Sequence, residues 1–273
     1  MTKRDITHII KEIFRQIKKT QSPIIRNFDQ DSIHKFRVQI KKLGALLRLL
    51  SFKMDVRSPL KLPKRLKNIY SAAGNVRSIQ LQLSQIKNSS KNNSGLTRYN
   101  KHLEKDLDGC IKKLKMRFDK KIIQSKEKKI ISKIPEKIDD LTFKNFYQLK
   151  IKTIKSVIES GVFSDGELHT IRKLIKDLIY ISKIVRESGV FLIQNSFLKD
   201  ENLKFTEKVA QELGEFNDVC SGIRFLTPDY FDENNPDEMK TLDTIRTEWN
   251  TKKKVLREAL IKSIKSTPIF QVN

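Results

Sequence analysis

The feature that most narrows the fold is a pattern that occurs twice. HKFRVQIKKLGALLRLL (34–50) and HTIRKLIKDLIYISKIV (169–185) share His, Arg, Ile, Lys and Leu at their first, fourth, seventh, eighth and tenth places. The offset is 135 residues. A second pair follows in the same order. AGNVRSIQLQLSQI (73–86) and LGEFNDVCSGIRFL (213–226) align through Gly74 and Gly214. Two matched segments in one order point to duplication of a unit about half the chain long.

Both copies have the helical period. In the first, Ile33, Phe36, Ile40, Leu43, Leu46, Leu47 and Leu50 fall on one apolar face. His34, Arg37, Lys41 and Arg48 keep the same spacing, shifted by one residue. One residue is about 100° of rotation, so a basic stripe roughly 21 Å long runs beside the buried face. The second copy repeats this with Leu168, Ile171, Ile175, Leu178, Ile181 and Val185 as its face and His169, Arg172, Lys176 and Lys183 as its stripe. A single basic run reads most simply as a solvated helix face. A stripe repeated at the edge of two cores needs a partner, because a half-buried charge must be compensated.

The rest of the chain is also helical in period. Helices are expected at about 4–20, 31–53, 63–87 and 96–118, with Asp31 or Ser32 capping the second and Pro63 opening the third. A Lys-rich segment runs on to 134, and Pro135 marks the boundary between halves. Further helices are expected at about 142–160, 165–187, 200–226 and 237–264. Polar loops at 87–95 and 227–238 separate neighbours. With only 9 Gly and 7 Pro there is little turn chemistry for short strands. The expected fold is all-α, two pseudo-symmetric four-helix bundles, residues 1–134 and 135–273.

Charge divides the two halves. Residues 1–134 carry 34 Lys+Arg against 10 Asp+Glu, whereas residues 135–273 carry 22 of each. The whole net charge of +24 therefore belongs to the first half. Acidic residues would serve solubility as well, so a concentrated positive half implies an anionic partner. No stretch is apolar enough for a membrane span, and MTKRDITHIIKEIF has no apolar signal segment. Cys110 and Cys220 are too few and too far apart for a disulfide framework or a zinc site. These readings place the protein in the cytoplasm.

Catalytic patterns are missing. The chain has no GxxxxGK[ST], HExxH, GxSxG or GxGxxG. Paired acids such as Asp139–Asp140 and Asp232–Glu233 fall in polar linkers. His34 and His169 can serve as structural hydrogen-bonding groups, or one can be a phosphorylated histidine on a helical bundle. Two equivalent histidines fit poorly with a single-site phosphorelay. Neither has a second ligand at zinc spacing. No catalytic residue, metal ligand or cofactor is assigned.

His34-x-x-Arg37-x-x-x-Lys41-Lys42-Leu43, the same pattern from His169, and the segments around Gly74 and Gly214 together resemble the conserved histidine α-helical domain, CHAD. The resemblance covers about residues 4–264 and implies two pseudo-symmetric four-helix bundles. It implies non-catalytic binding of inorganic polyphosphate by basic residues lining a groove or pore between them. By position, the contacts would be His34, Arg37, Lys41, Lys42 and Arg48, with Arg77 from the glycine-containing helix. The second copy would supply His169, Arg172, Lys176 and Lys183. The sequence departs from the family's pattern at Gly44, Ile179 and Asp177, which stand where basic residues are frequent, and at Arg77-Ser78 and Asn217-Asp218. Polyphosphate granules are a further expected destination. Nucleic acid ranks lower as a partner, because no aromatics interleave the stripes for base stacking.

Overall fold

The computed structural model describes residues 1–54, 59–89, 96–118, 120–187, 200–226 and 236–271. Nine α-helices are found among them: α1 (Lys3–Asn27), α2 (Gln30–Lys53), α3 (Lys64–Ser89), α4 (Thr97–Arg117), α5 (Lys120–Ile131), α6 (Asp140–Ser160), α7 (Asp165–Glu187), α8 (Asp200–Phe225) and α9 (Pro236–Ser266). The described residues form no strand, only an isolated bridge between Thr2 and Lys137. The fold is all-α, as expected. Most of the expected polar loops, 90–95 and 227–235, lie outside the described residues.

Local chemistry sets the helix ends. Asp29, not Asp31 or Ser32, caps α2, its carboxylate accepting from the Ser32 N–H. Asp139 does the same for α6 through Thr142. Ser164 and Glu167 form a reciprocal capping box at the start of α7. Gly161 ends α6 with φ 67°, a left-handed conformation that suits glycine.

α1 runs seven residues beyond its expected end, through Pro23. The apolar face explains this. Ile17, Thr20, Gln21 and Ile24 continue one buried stripe past the proline, and Ile24 is fully buried. That burial outweighs the one helical hydrogen bond that proline cannot donate. The Lys-rich segment before 134 is largely helical, as α5. The residues after Pro135 are tied to the start of the chain: the Lys3 N–H donates to Glu136 at 2.7 Å and the Ile138 N–H to Met1 at 2.9 Å.

The two apolar faces are buried as their spacing requires. Every face residue of α2 is at most 2 % exposed, and every face residue of α7 at most 4 %. Fully burying such a side chain is worth about 1.5–3 kcal/mol, so neither helix can rotate about its axis cheaply. α2 packs on α7, and α3 packs on α8. Each motif helix thus meets its counterpart from the other half. One buried core joins α1 and α2 to α6 and α7; a second joins α3 and α4 to α8 and α9.

A buried carboxylate also joins the halves. Asp177 on α7 is 5 % exposed. It accepts from the Arg48 Nε of α2 at 2.8 Å, from a second Arg48 nitrogen, and from the Lys150 Nζ of α6 at 3.1 Å. Replacing Asp177 by Asn strands two cations at a helix interface. We expect a loss of about 1–3 kcal/mol in urea unfolding, short of a fully buried pair because half of Arg48 is in water. Lys112→Gln, an exposed position on α4, should stay within about 0.5 kcal/mol.

Candidate functional site

The fixed faces of α2 and α7 decide where their polar edges point. A cleft of about 370 Å³ opens where α2, α3, α7 and α8 meet. α2 brings His34, Arg37 and Lys41, and α7 brings His169, Arg172 and Lys173. From α3, Tyr70, Gly74, Arg77 and Ser78 reach it at helical spacing. α8 closes it with Asn217, Asp218 and Ser221. Five lysine and arginine side chains therefore line one cleft with a single carboxylate, Asp218.

Arg37 is the most tightly held of these cations. Its Nη1 donates to the Tyr70 carbonyl at 2.8 Å and its Nη2 to the Tyr70 hydroxyl at 3.4 Å. Its guanidinium also lies over the Tyr70 ring, 4.3 Å from the centroid. The absence of a side chain at Gly74 makes this possible. A Cβ there would overlap Arg37 Nη1 and come within 3.1 Å of Cζ. At the matching glycine of the second copy the constraint is gone, since a Cβ on Gly214 would sit 4.0 Å from Arg172 Nη2.

The cleft is electrostatically unsatisfied. Desolvation, then repulsion from Arg172, Arg37 and Lys176, lowers the Lys41 ammonium to about 8. Lys176 is lowered by burial and by Arg172. Burial lowers Arg37 and Arg77 as well, though both guanidinium groups stay charged. Partial desolvation, assisted by Arg77 beside His34 and by Lys173 beside His169, pushes both imidazoles below their usual value. Asn217 hydrogen-bonds His169 and opposes the shift. Two buried guanidinium nitrogens, Arg77 Nη1 and Arg172 Nε, have no hydrogen-bond partner. Buried donors are nearly always paired, so both guanidinium groups keep hydrogen-bonding capacity that the protein itself does not use.

Six of the residues read from the sequence meet here: His34, Arg37, Lys41, Arg77, His169 and Arg172. Lys176 stands behind them, close enough to perturb Lys41. The other three are turned elsewhere. Lys42, a further 100° round α2, lines a separate recess and lies 3.9 Å from Glu187. Arg48 is committed to Asp177, and Lys183 pairs with Glu207 at 2.7 Å. Sequence reasoning missed Lys173 and Tyr70. Their signals were present, since Lys173 is four residues after His169 and Tyr70 four before Gly74. Among the described residues, no group of three or more His, Cys, Asp or Glu is placed to hold a metal ion. No helix among them is long and apolar enough to cross a membrane.

Comparison with known proteins identifies the family and the fold. The CHAD domain profile matches residues 8–227. The chain belongs to the CHAD family. Among solved structures, the CHAD domain from the plant Ricinus communis superposes with a TM-score of 0.76 at 15 % identity, covering 100 % of this chain and 93 % of that one. PptA from Streptomyces chartreusis superposes with a TM-score of 0.67 at 11 % identity, covering 96 % and 98 %. At these identities the likeness is one of fold. No curated protein matches the chain.

Two predictions follow from the geometry of this CHAD cleft. Ala at a helical Gly gains up to about 1 kcal/mol of propensity. Gly214→Ala should therefore stabilise the protein, while Gly74→Ala must dislodge Arg37 and lose its charged hydrogen bonds. We expect Gly74→Ala to be the less stable by about 1–3 kcal/mol in chemical denaturation. The second concerns Lys41. Its folded value, about 8, lies below the ordinary 10.5. Between these values the unfolded chain binds more protons, so the stability of the free protein should rise as pH goes from about 8 to 10.5. Lys41→Met should reduce that rise in urea titrations at stepped pH.

Proposed function

We propose that this CHAD protein binds inorganic polyphosphate in the cleft between α2, α3, α7 and α8, without turning it over. The observation that carries this reading is the cluster of five cations in one cleft, in which buried Arg77 and Arg172 nitrogens lack partners. A chain of phosphates supplies what the cluster needs. It brings dense negative charge and acceptor oxygens that match guanidinium donors, while lysine acts as a point charge. Lys41 is held low by burial and then by repulsion from its neighbours; an anion opposes both, so occupancy would be accompanied by proton uptake near pH 8.

The family's established architecture and the position of the repeated His-Arg-Lys stripe support the same reading. Nucleic acid fits less well. Tyr70 and Phe225 are the aromatic residues lining the cleft, and the face of Tyr70 is already covered by Arg37. A base would find little free platform on which to stack. Docking on polyphosphate granules needs no further site, since a granule presents the same ligand.

The test is a titration with long-chain polyphosphate, with DNA and RNA at matched phosphate concentration as competitors. Five contacts imply a log–log salt slope of roughly −3.5 by analogy with single strands, a loss of about two decades between 50 and 200 mM salt. Arg37→Glu with Lys41→Glu should weaken binding far more than Lys112→Glu with Lys113→Glu, two exposed lysines on α4. Equal losses would reduce the site to net charge. Phosphate release from polyphosphate by the purified protein would overturn the non-catalytic reading.

A further inference from the structure

The cleft does not account for the uneven charge of the chain. It takes Arg37, Lys41 and Arg77 from the basic half and Arg172 and Lys173 from the neutral one. The excess of the first half lies elsewhere, and one place gathers it. A recess of about 800 Å³ lies between the end of α2, the start of α3 and α5. Lys61, Lys64, Arg65, Lys126, Lys129 and Lys133 line it, and among the described residues no carboxylate does. None of these six cations makes an ion pair with a described residue. Pro59 and Pro63 stiffen its rim, and Leu60 and Ile130 form an apolar floor that fixes the backbone beneath the charges.

The placement of these charges is unfavourable for the protein alone. Lys126 and Lys129 lie three residues apart on one side of α5, with Lys133 in the turn that follows it, and like charges so placed repel. Lys64 and Arg65 occupy the first turn of α3, which holds no acidic residue. That end of a helix carries partial positive charge and ordinarily favours acids. An anion seated in the recess would answer both sets of repulsions at once.

We propose that this recess is a second phosphate-chain site, separate from the cleft. The ligand class rests on the reading of the cleft given above; the existence of the site rests on the recess itself. The two do not merge. Along α3, Tyr70, Gly74, Arg77 and Ser78 reach the cleft, whereas Lys64 and Arg65 precede Tyr70 by six and five residues, about 7–9 Å nearer the start of the helix. α5 contributes to the recess and not to the cleft. A protein with two such sites on different sides holds two segments of one long chain, or joins two chains. Linking them raises the effective concentration at the second site and strengthens retention on long polymers.

The experiment is calorimetric titration of inorganic tripolyphosphate, too short to bridge the sites, at 50 mM salt. The proteins are the unaltered chain, Lys64→Gln with Lys129→Gln, and Arg37→Glu with Lys41→Glu, each first shown to melt cooperatively. The unaltered chain should show two sites. Neutralising Lys64 and Lys129 should weaken one of them by about tenfold per lost contact and spare the other. The Arg37 and Lys41 reversal should do the converse. One site in the unaltered chain, or two unchanged sites after neutralising Lys64 and Lys129, would overturn the proposal. If the outer variant removes all binding while the cleft variant removes none, the cleft reading fails and the recess stands as the site. No tripolyphosphate binding at all would overturn both, and a preference of the recess for duplex DNA would overturn its ligand class.

Discussion

The apolar faces of α2 and α7 hold a group of cations together against their own repulsion, and the rest of the molecule is organised around that constraint. Arg37, Lys41, Arg77 and Arg172 would separate if their helices could turn. They cannot, because each motif helix has its whole apolar face buried in the core shared between the halves. Burial, and then this repulsion, depresses the ionisation of Lys41 and Lys176. Asp218 alone relieves it from within the cleft, and the other nearby carboxylates are placed outside. Asp177 faces Arg48 and Lys150, and Glu207 faces Lys183. What remains in the cleft is charge that water serves poorly and an anion serves well.

Most of the fold was legible because helical period is a strong local signal. The apolar faces of α2 and α7 came from spacing alone, and every face residue is buried. The failures share one cause, which is dependence on another helix. Arg48 and Lys183 carry the same charge and nearly the same angular position as Lys41 and Lys176 on their own helices, and Lys42 directly follows Lys41. The sequence does not reveal that Glu187, Asp177 and Glu207 stand opposite them. Asp177 was visible as a departure from the family pattern, but its meaning needed α2 and α6 to be in place. Likewise α1 passes Pro23 because Ile24 finds a core on the far side. Local propensity says stop, and packing overrides it.

The two occurrences of the motif differ in a way that packing explains. Gly74 is required by the guanidinium lying against it, whereas Gly214 has room for a side chain. Lys42 and Asp177 occupy equivalent places in the repeat with opposite charge. That reversal gives Arg48 a carboxylate across the α2–α7 contact, so the second copy supplies a fastening where the first supplies a cation. A symmetric pair of basic helices would repel along their whole contact. Changing one position in one copy to aspartate removes much of that repulsion without emptying the cleft.

The same reasoning separates the charges that stabilise the protein from those that serve a ligand. Arg48, Lys150 and Lys183 meet carboxylates and lower the energy of the free protein. Arg77 and Arg172 bury nitrogens that meet nothing, which raises it. A folded chain keeps such groups only where the surrounding structure fixes them, and here the cores on both sides do so. The unsatisfied donors are thus set in position before any anion arrives. Binding need not order long side chains at that moment, and less of the interaction energy is lost to their immobilisation.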